Sequence, residues 1–301
     1  MPSPILVIVG TNASGKSKLG LLLAKQYDGE IISADSRQVY RGLDVATGKV
    51  SQADMQDVPH HCIDVADPTQ RYTAADFSRD GRHALKDILS RNKLPIIVGG
   101  TGFYIDALLK PELLTAVPPN EELRKGFHSL PIDVLFSQLE KIDPRRARDL
   151  RDKGEQTLRR RVTRALEIAL APETHTSAEA DVLPPMRTLW LGIQWENDVL
   201  KQRIHERTLA RMEEGMIDEA RKLHAGGVTF ERMAELGLEY KHLADFLRER
   251  CSEEELIERI ERDDWRYAKR QRTWFKRNKD IHWFEGDNLN GVEALVKDFL
   301  L

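Results

Sequence analysis

The stretch Gly10-Thr11-Asn12-Ala13-Ser14-Gly15-Lys16-Ser17 constrains the fold of this chain more than any other. It follows the apolar run Ile5-Leu6-Val7-Ile8-Val9 and opens onto Leu19-Gly20-Leu21-Leu22-Leu23-Ala24. The G-x-x-x-x-G-K-[ST] pattern needs a buried strand before it and a helix after it, and both are present. Glycines let backbone N–H groups turn inward around a phosphate, and the helix N-terminus adds positive potential. Lys16 supplies a point charge, and the Ser17 hydroxyl is a ligand for Mg²⁺. Residues 10–17 are therefore expected to hold a di- or triphosphate. Which molecule carries it is a separate question.

The rest of the chain is read outward from that loop. Glu30-Ile31-Ile32-Ser33-Ala34-Asp35 is a short apolar strand ending on an acid, followed by a polar loop through Gly42 and Gly48. A further strand is expected at residues 61–65, a helix carrying Phe77, Ala84, Leu85, Ile88 and Leu89, and a strand at Pro95-Ile96-Ile97-Val98. Alternating strands and helices predict an α/β fold, a parallel sheet flanked by helices with a nucleotide-kinase-like P-loop core. In such sheets ligands lie beyond the carboxyl ends of the strands. The loop, Asp35-Ser36-Arg37-Gln38 and Gly99-Gly100-Thr101-Gly102 should meet there. Between Pro111 and Pro185 the strand signal gives way to charged helical segments, which predicts an all-helical insertion domain at 112–186 between core segments 1–111 and 187–301. Residues 188–193 return to the sheet. A long helix follows, with Leu200, Ile204, Leu209 and Met212 on its apolar side and Arg203, Arg207 and Arg211 as a cationic stripe. A second long helix at 253–277, a strand at 281–284 and a helix at 292–300 close the chain.

With 301 residues, 41% hydrophobic and 32% charged, the composition is that of a soluble protein, with neither a signal peptide nor a membrane span. Cys62 and Cys251 are far apart and form no C-x-x-C pair, so neither a zinc site nor a disulfide framework is indicated, which favours the cytoplasm. The formal net charge is −3, yet residues 265–279 hold seven basic residues and no acidic one, with Tyr267, Trp274 and Phe275 interleaved. A second basic cluster, residues 145–164, contains Arg159-Arg160-Arg161. Local basic patches on an acidic chain point to a polyanion bound at a defined place. Each patch alone also reads as a solvated helical face, and Trp274 and Phe275 read as packing anchors. His60-His61 suits a structural role better than a metal site, because strand neighbours point to opposite faces.

The third strand ends in glycines and a threonine rather than the acid that a motor or signalling NTPase uses to help hold Mg²⁺. Bare glycines there predict close approach by a second substrate, with Asp35 as a base or metal-positioning group. A kinase and another group transferase remain equally open at this level.

Residues 10–17, 35–44, 59–64 and 95–104 resemble tRNA dimethylallyltransferases of the bacterial type, which lack the zinc finger of eukaryotic members. So do Arg161-Val162-Thr163-Arg164-Ala165-Leu166-Glu167 and residues 267–275. These blocks span nearly the whole chain. The resemblance implies that Gly10, Thr11, Asn12, Ala13, Ser14, Gly15, Lys16 and Ser17 bind the diphosphate of dimethylallyl diphosphate, with Mg²⁺ near Ser17. It implies a five-carbon transfer to N6 of adenosine 37, 3′ of the anticodon. Asp35 is then the candidate base, and Thr101 and Arg207, with Arg203 as the alternative, stabilise the leaving charge. Asp35, Ser36, Arg37, Gln38 and Thr101 would meet the flipped base or its neighbours. Arg124, Arg160, Arg161 and Arg164 would hold the anticodon arm of the tRNA. A monomer is the expected state.

The chain departs from the family pattern at Leu236-Gly237-Leu238-Glu239-Tyr240-Lys241, where Glu239 stands in place of a glycine. Two other enzymes share the phosphate loop. One is an adenylate isopentenyltransferase acting on AMP, ADP or ATP, for which the insertion and second basic patch have no use. The other is a P-loop small-molecule kinase, which leaves the arginine-rich remainder unexplained. A non-enzymatic RNA-binding module leaves the phosphate loop without a purpose.

Overall fold

Strand β1 (Ser3–Gly10) is buried completely from Ile5 onward. Ile5, Val7 and Val9 enter an apolar cluster with Phe77, Leu85 and Tyr240, whereas Leu6 and Ile8 enter another with Leu19, Leu23 and Val296. A strand that is apolar on both faces belongs at the centre of a parallel sheet with helices on either side. The computed structural model describes residues 2–114, 117–171 and 183–301. Met1, residues 115–116 and residues 172–182, the last two within the expected insertion, lie outside the described residues.

In chain order the elements that follow are α1 (Lys16–Gln26), β2 (Gly29–Ser33), α2 (Gln52–Asp57), β3 (His60–His61), α3 (Ala74–Ser90), β4 (Leu94–Gly99) and α4 (Gly102–Leu109). Next come α5 (Glu121–His128), α6 (Ile132–Ile142), α7 (Pro144–Asp152) and α8 (Arg159–Ala169). The chain continues with β5 (Met186–Gln194), α9 (Asn197–Glu213), α10 (Met216–Ala225), α11 (Phe230–Leu236), α12 (Glu239–Leu247), α13 (Glu253–Phe275), β6 (Ile281–Glu285) and α14 (Val292–Leu300). The strands form one parallel sheet in the order β3-β2-β4-β1-β5-β6. Among the described residues no helix is long and apolar enough to cross a membrane.

Two compact units are present, one of Met1–Pro111 with Val182–Leu301 and one of Glu112–Asp181. The second is helical, with its own apolar centre of Phe127, Leu135, Leu139, Val162 and Leu166. Buried Glu167 is the polar hub of that unit. It accepts from Arg124 at 2.7 and 3.2 Å, from Arg164 at 3.1 Å and from the Asn120 N–H at 2.8 Å.

Two local expectations are corrected. The strand expected at 61–65 is only His60–His61, because Cys62 (φ 63°) and Asp64 (φ 55°) turn the chain out of the sheet. Helix α9 buries Leu200, Ile204, Thr208 and Arg211, while Leu209 faces outward. The buried line of this helix thus ends on Arg211, an arginine of the cationic stripe.

Candidate functional site

The loop between β1 and α1 carries its own anion cradle. Ala13 (φ 57°) and Gly15 (φ 95°) take left-handed conformations, and Gly15 precedes a helix whose first turn has neither a side-chain cap nor an acid. The first N–H groups of α1 therefore have no intrahelical partner and favour an anion. Among the described residues, Thr11 Oγ1, Asn12 Oδ1, Ser14 Oγ, Arg37 Nε and Arg207 Nε are buried without any hydrogen-bond partner. Buried polar atoms are rarely left so, and this concentration marks a place built for a ligand.

Three side chains brace the loop from outside. Gln271 of α13 accepts from the Asn12 N–H (2.8 Å) and donates to the Gly100 carbonyl (3.0 Å), tying the loop to the end of β4. Trp195 Nε1 donates to the Ser14 carbonyl at 3.0 Å. Arg203 lies 4.2 Å over the Trp195 ring and donates to the Ala13 carbonyl at 2.9 Å. Arg203 thus supports the loop and is not on the cavity wall.

That wall encloses a cavity of about 400 Å³ beyond the carboxyl ends of β1, β2 and β4. Of the residues singled out in the sequence it is lined by Asn12, Ala13, Ser14, Gly15, Lys16, Ser17, Asp35, Arg37, Gln38 and Arg207. Asp35 Oδ1 accepts from the Arg37 N–H at 2.9 Å, which fixes the carboxylate at the turn after β2. Gln38 is used internally: it accepts from Ser33 Oγ (3.1 Å) and donates to the Gly48 carbonyl (3.2 Å). Thr101 is off the wall. It ties the ends of β4 and β2 together, its N–H donating to the Ala34 carbonyl and its Oγ1 accepting from the Ser36 N–H, each at 3.1 Å. Arg124, Arg160, Arg161 and Arg164 belong to the helical unit. There Arg124 and Arg164 hold Glu167, whereas Arg160 and Arg161 are exposed.

The bare glycines after β4 receive protein, not substrate. A Cβ on Gly100 would lie 2.1 Å from Gln271 Nε2, and one on Gly102 would lie 2.2 Å from Trp274 Cδ1. Both glycines seat α13. Trp274 also donates to Asp106 at 3.1 Å and Phe275 is buried, so these aromatics pack.

The electrostatics turn on partners that the sequence did not pair, and on Asp264, which it did not single out. Arg211 pairs with Glu239 at 3.0 Å, both side chains being over nine-tenths buried, and Arg207 pairs with Asp264 at 2.6 Å. Burial, reinforced by the Asp264 charge, raises the Glu239 carboxyl above its usual range, and burial lowers the Arg211 guanidinium. Lys16 is pushed down to about 8, chiefly by desolvation, with Arg207 and Arg211 adding repulsion and Asp35 opposing the shift. Three mutually repelling cations at one desolvated place suit a multivalent anion. Tyr267, also on the wall, is in hydrogen-bonding contact with Thr101, and burial pushes its hydroxyl up to about 12. His60 and His61 are held by the Val58 carbonyl and Glu30, each at 2.7 Å. Among the described residues no cluster of three or more His, Cys, Asp or Glu is arranged for a metal.

Comparison with known proteins now identifies the architecture. Residues 38–278 match the profile of the IPP transferase family. The chain belongs to that family. It is 41% identical over 293 residues to tRNA dimethylallyltransferase 1 of Geotalea uraniireducens (strain Rf4), covering 95% of this chain and 94% of that protein. A similar likeness, 41% over 277 residues, links it to tRNA dimethylallyltransferase 2 of Treponema denticola (90% of this chain, 91% of that protein). The crystal structure of the full-length tRNA isopentenylpyrophosphate transferase of Bacillus halodurans superposes with a TM-score of 0.71 at 34% identity, covering 100% of this chain and 95% of that one. A eukaryotic dimethylallyltransferase acting on tRNA superposes with a TM-score of 0.80 at 27% identity, covering 99% of this chain and 79% of that one. The sheet and its flanking helices are therefore the IPP transferase fold.

Proposed function

We propose that the chain is a tRNA dimethylallyltransferase, moving the five-carbon group of dimethylallyl diphosphate onto N6 of adenosine 37 and releasing diphosphate. The observation that carries this reading is the single cavity wall joining the phosphate loop, Lys16 and Arg207 to the carboxylate of Asp35. Its volume of about 400 Å³ falls in the usual range for a small-ligand site.

The donor's diphosphate sits on the N–H groups of residues 13–17, with Lys16 and the unpartnered Arg207 Nε as charged donors. N6 attacks C1 of the donor, its proton passes to Asp35, and the electron pair of the breaking C1–O bond leaves with diphosphate. The negative charge grows on oxygens already facing fixed donors, so little reorganisation is needed as the bond breaks. The loop's oxygens suit a hard cation, and Ser17 would hold Mg²⁺ together with phosphate oxygens, which when bound neutralises charge on the leaving diphosphate. Thr101 and Tyr267 act behind Asp35 by fixing its turn. Arg37, with its Nε unpartnered, is the side chain best suited to meet the flipped base. Ser36 and Gln38 are engaged within the protein.

In the helical unit, Arg160 and Arg161 are the tRNA-facing cations of this reading, with Arg124 and Arg164 shaping the unit around Glu167. In this reading the enzyme works in the cytoplasm as a monomer. The test is transfer of labelled dimethylallyl, with Mg²⁺, to unmodified tRNA and to free AMP in parallel. Label in tRNA alone is expected. Label in AMP alone, or in neither, overturns the reading.

A further inference from the structure

The link between α11 and α12 is only two residues long, and its second residue is strained. Gly237 has φ 71° and ψ −168°; Leu238 has φ 47° and ψ −127°, a conformation that bulky residues rarely adopt. The surroundings impose it. The Gly237 N–H closes α11 onto the Met233 and Ala234 carbonyls. On the other side, Glu239 is locked to Arg211, the Tyr240 hydroxyl donates to Glu219 at 2.6 Å and His242 bonds Asp263 at 2.9 Å. Strain of this kind persists only where the neighbouring structure over-determines it, and it gathers at ligand clamps.

Nothing in the core explains a leucine here. Leu238 joins none of the apolar clusters of the fold and instead lines the cavity. The residue before it approaches the acceptor side, since a Cβ on Gly237 would lie 3.1 Å from Arg37 Nη2. The residue after it is paired with Arg211, beside the cations of the donor side. Leu238 is therefore held between the two groups that the reacting carbon chain must connect, on a wall dominated by charged and polar side chains.

We propose that Leu238 sets the length of the prenyl chain the cavity accepts, its side chain taking up the room on the wall that a donor longer than five carbons would need. The inference rests on the transferase reading above. Its strained backbone holds the side chain in place, and the Arg211–Glu239 pair beside it keeps the link from retreating. Each methylene in an apolar pocket changes discrimination by roughly 10–200-fold, so a ten-carbon donor should be strongly excluded.

The experiment compares dimethylallyl and geranyl diphosphates on the full chain and on Leu238→Ala, Leu238→Gly and Leu238→Phe. Binding is read calorimetrically without tRNA, and kcat/KM is read with tRNA. Alanine and glycine are expected to raise the geranyl-to-dimethylallyl ratio at least tenfold in both readouts, with dimethylallyl binding retained. Phenylalanine should weaken dimethylallyl binding. A ratio unchanged within twofold in both smaller variants overturns the proposal, as does equal loss of both donors. If the wild-type chain transfers no prenyl group yet the binding ratio shifts, the transferase reading fails while the chain-length role of Leu238 stands.

Discussion

Lys16 provides the sharpest quantitative test of the site, because its charge is needed by the donor and opposed by burial beside Arg207 and Arg211. With its ammonium at about 8 in the free protein, nine-tenths of the molecules are ready to bind at pH 7 and about one-tenth at pH 9. A bound diphosphate beside the ammonium restores it toward its ordinary value, so the deprotonated protein must take up a proton on binding. Affinity for dimethylallyl diphosphate should therefore be nearly flat to pH 7.5 and fall as pH rises through 8. The loss reaches about tenfold at pH 9, or about 1.4 kcal/mol. Calorimetry in two buffers of different ionisation enthalpy should detect uptake of about half a proton per donor at pH 8. Glu239 also titrates unusually, and an incoming anion favours its protonated form, so wild-type uptake alone does not identify the lysine. Lys16→Met separates them: it should bind the donor weakly at pH 7 and lose the limb above pH 8. Lys16→Arg keeps its charge, so its affinity should stay level to pH 9. Wild-type affinity that is flat from pH 7 to 9, or the same uptake in Lys16→Met, would refute the reasoning.

Two further outcomes follow from the same geometry. Asp35→Asn keeps the size of the side chain but removes the proton acceptor. Donor binding should stay within about twofold while single-turnover transfer falls roughly a hundredfold or more, and near-normal transfer would remove Asp35 as the base. Arg160→Ala should weaken tRNA binding and reduce the slope of log affinity against log salt by about 0.7–0.9, leaving donor affinity unchanged. An unaltered slope would make this arginine an ordinary solvated one.

The phosphate loop, the order of strands and helices and the convergence of Asp35 with the loop were legible because each rests on local pattern: an apolar run, a glycine spacing, an acid at a strand end. The arginine stripe of α9 was legible only as a stripe. Residues four apart on a helix are offset by about 40°, so Arg203, Arg207 and Arg211 face successively different neighbours. One braces the loop, one enters the cavity beside Asp264 and one is buried against Glu239. None of these partners is near in sequence. Glu239 read as an intrusion of charge where backbone freedom was expected, whereas the structure supplies its counter-ion 28 residues upstream. Gly100 and Gly102 misled for a related reason: a missing Cβ signals close approach without saying what approaches, and here it is α13.

The bond from Gln271 to Asn12 spans 259 residues. During synthesis the phosphate loop is made 259 residues before the side chain that ties its backbone down. Contacts of such long sequence separation form late, after the cost of closing the intervening chain has been met. A nascent or C-terminally truncated chain can thus carry every residue of the loop while its Asn12 N–H still lacks its glutamine. The order of the phosphate loop thus depends on α13 as much as on the loop's own residues.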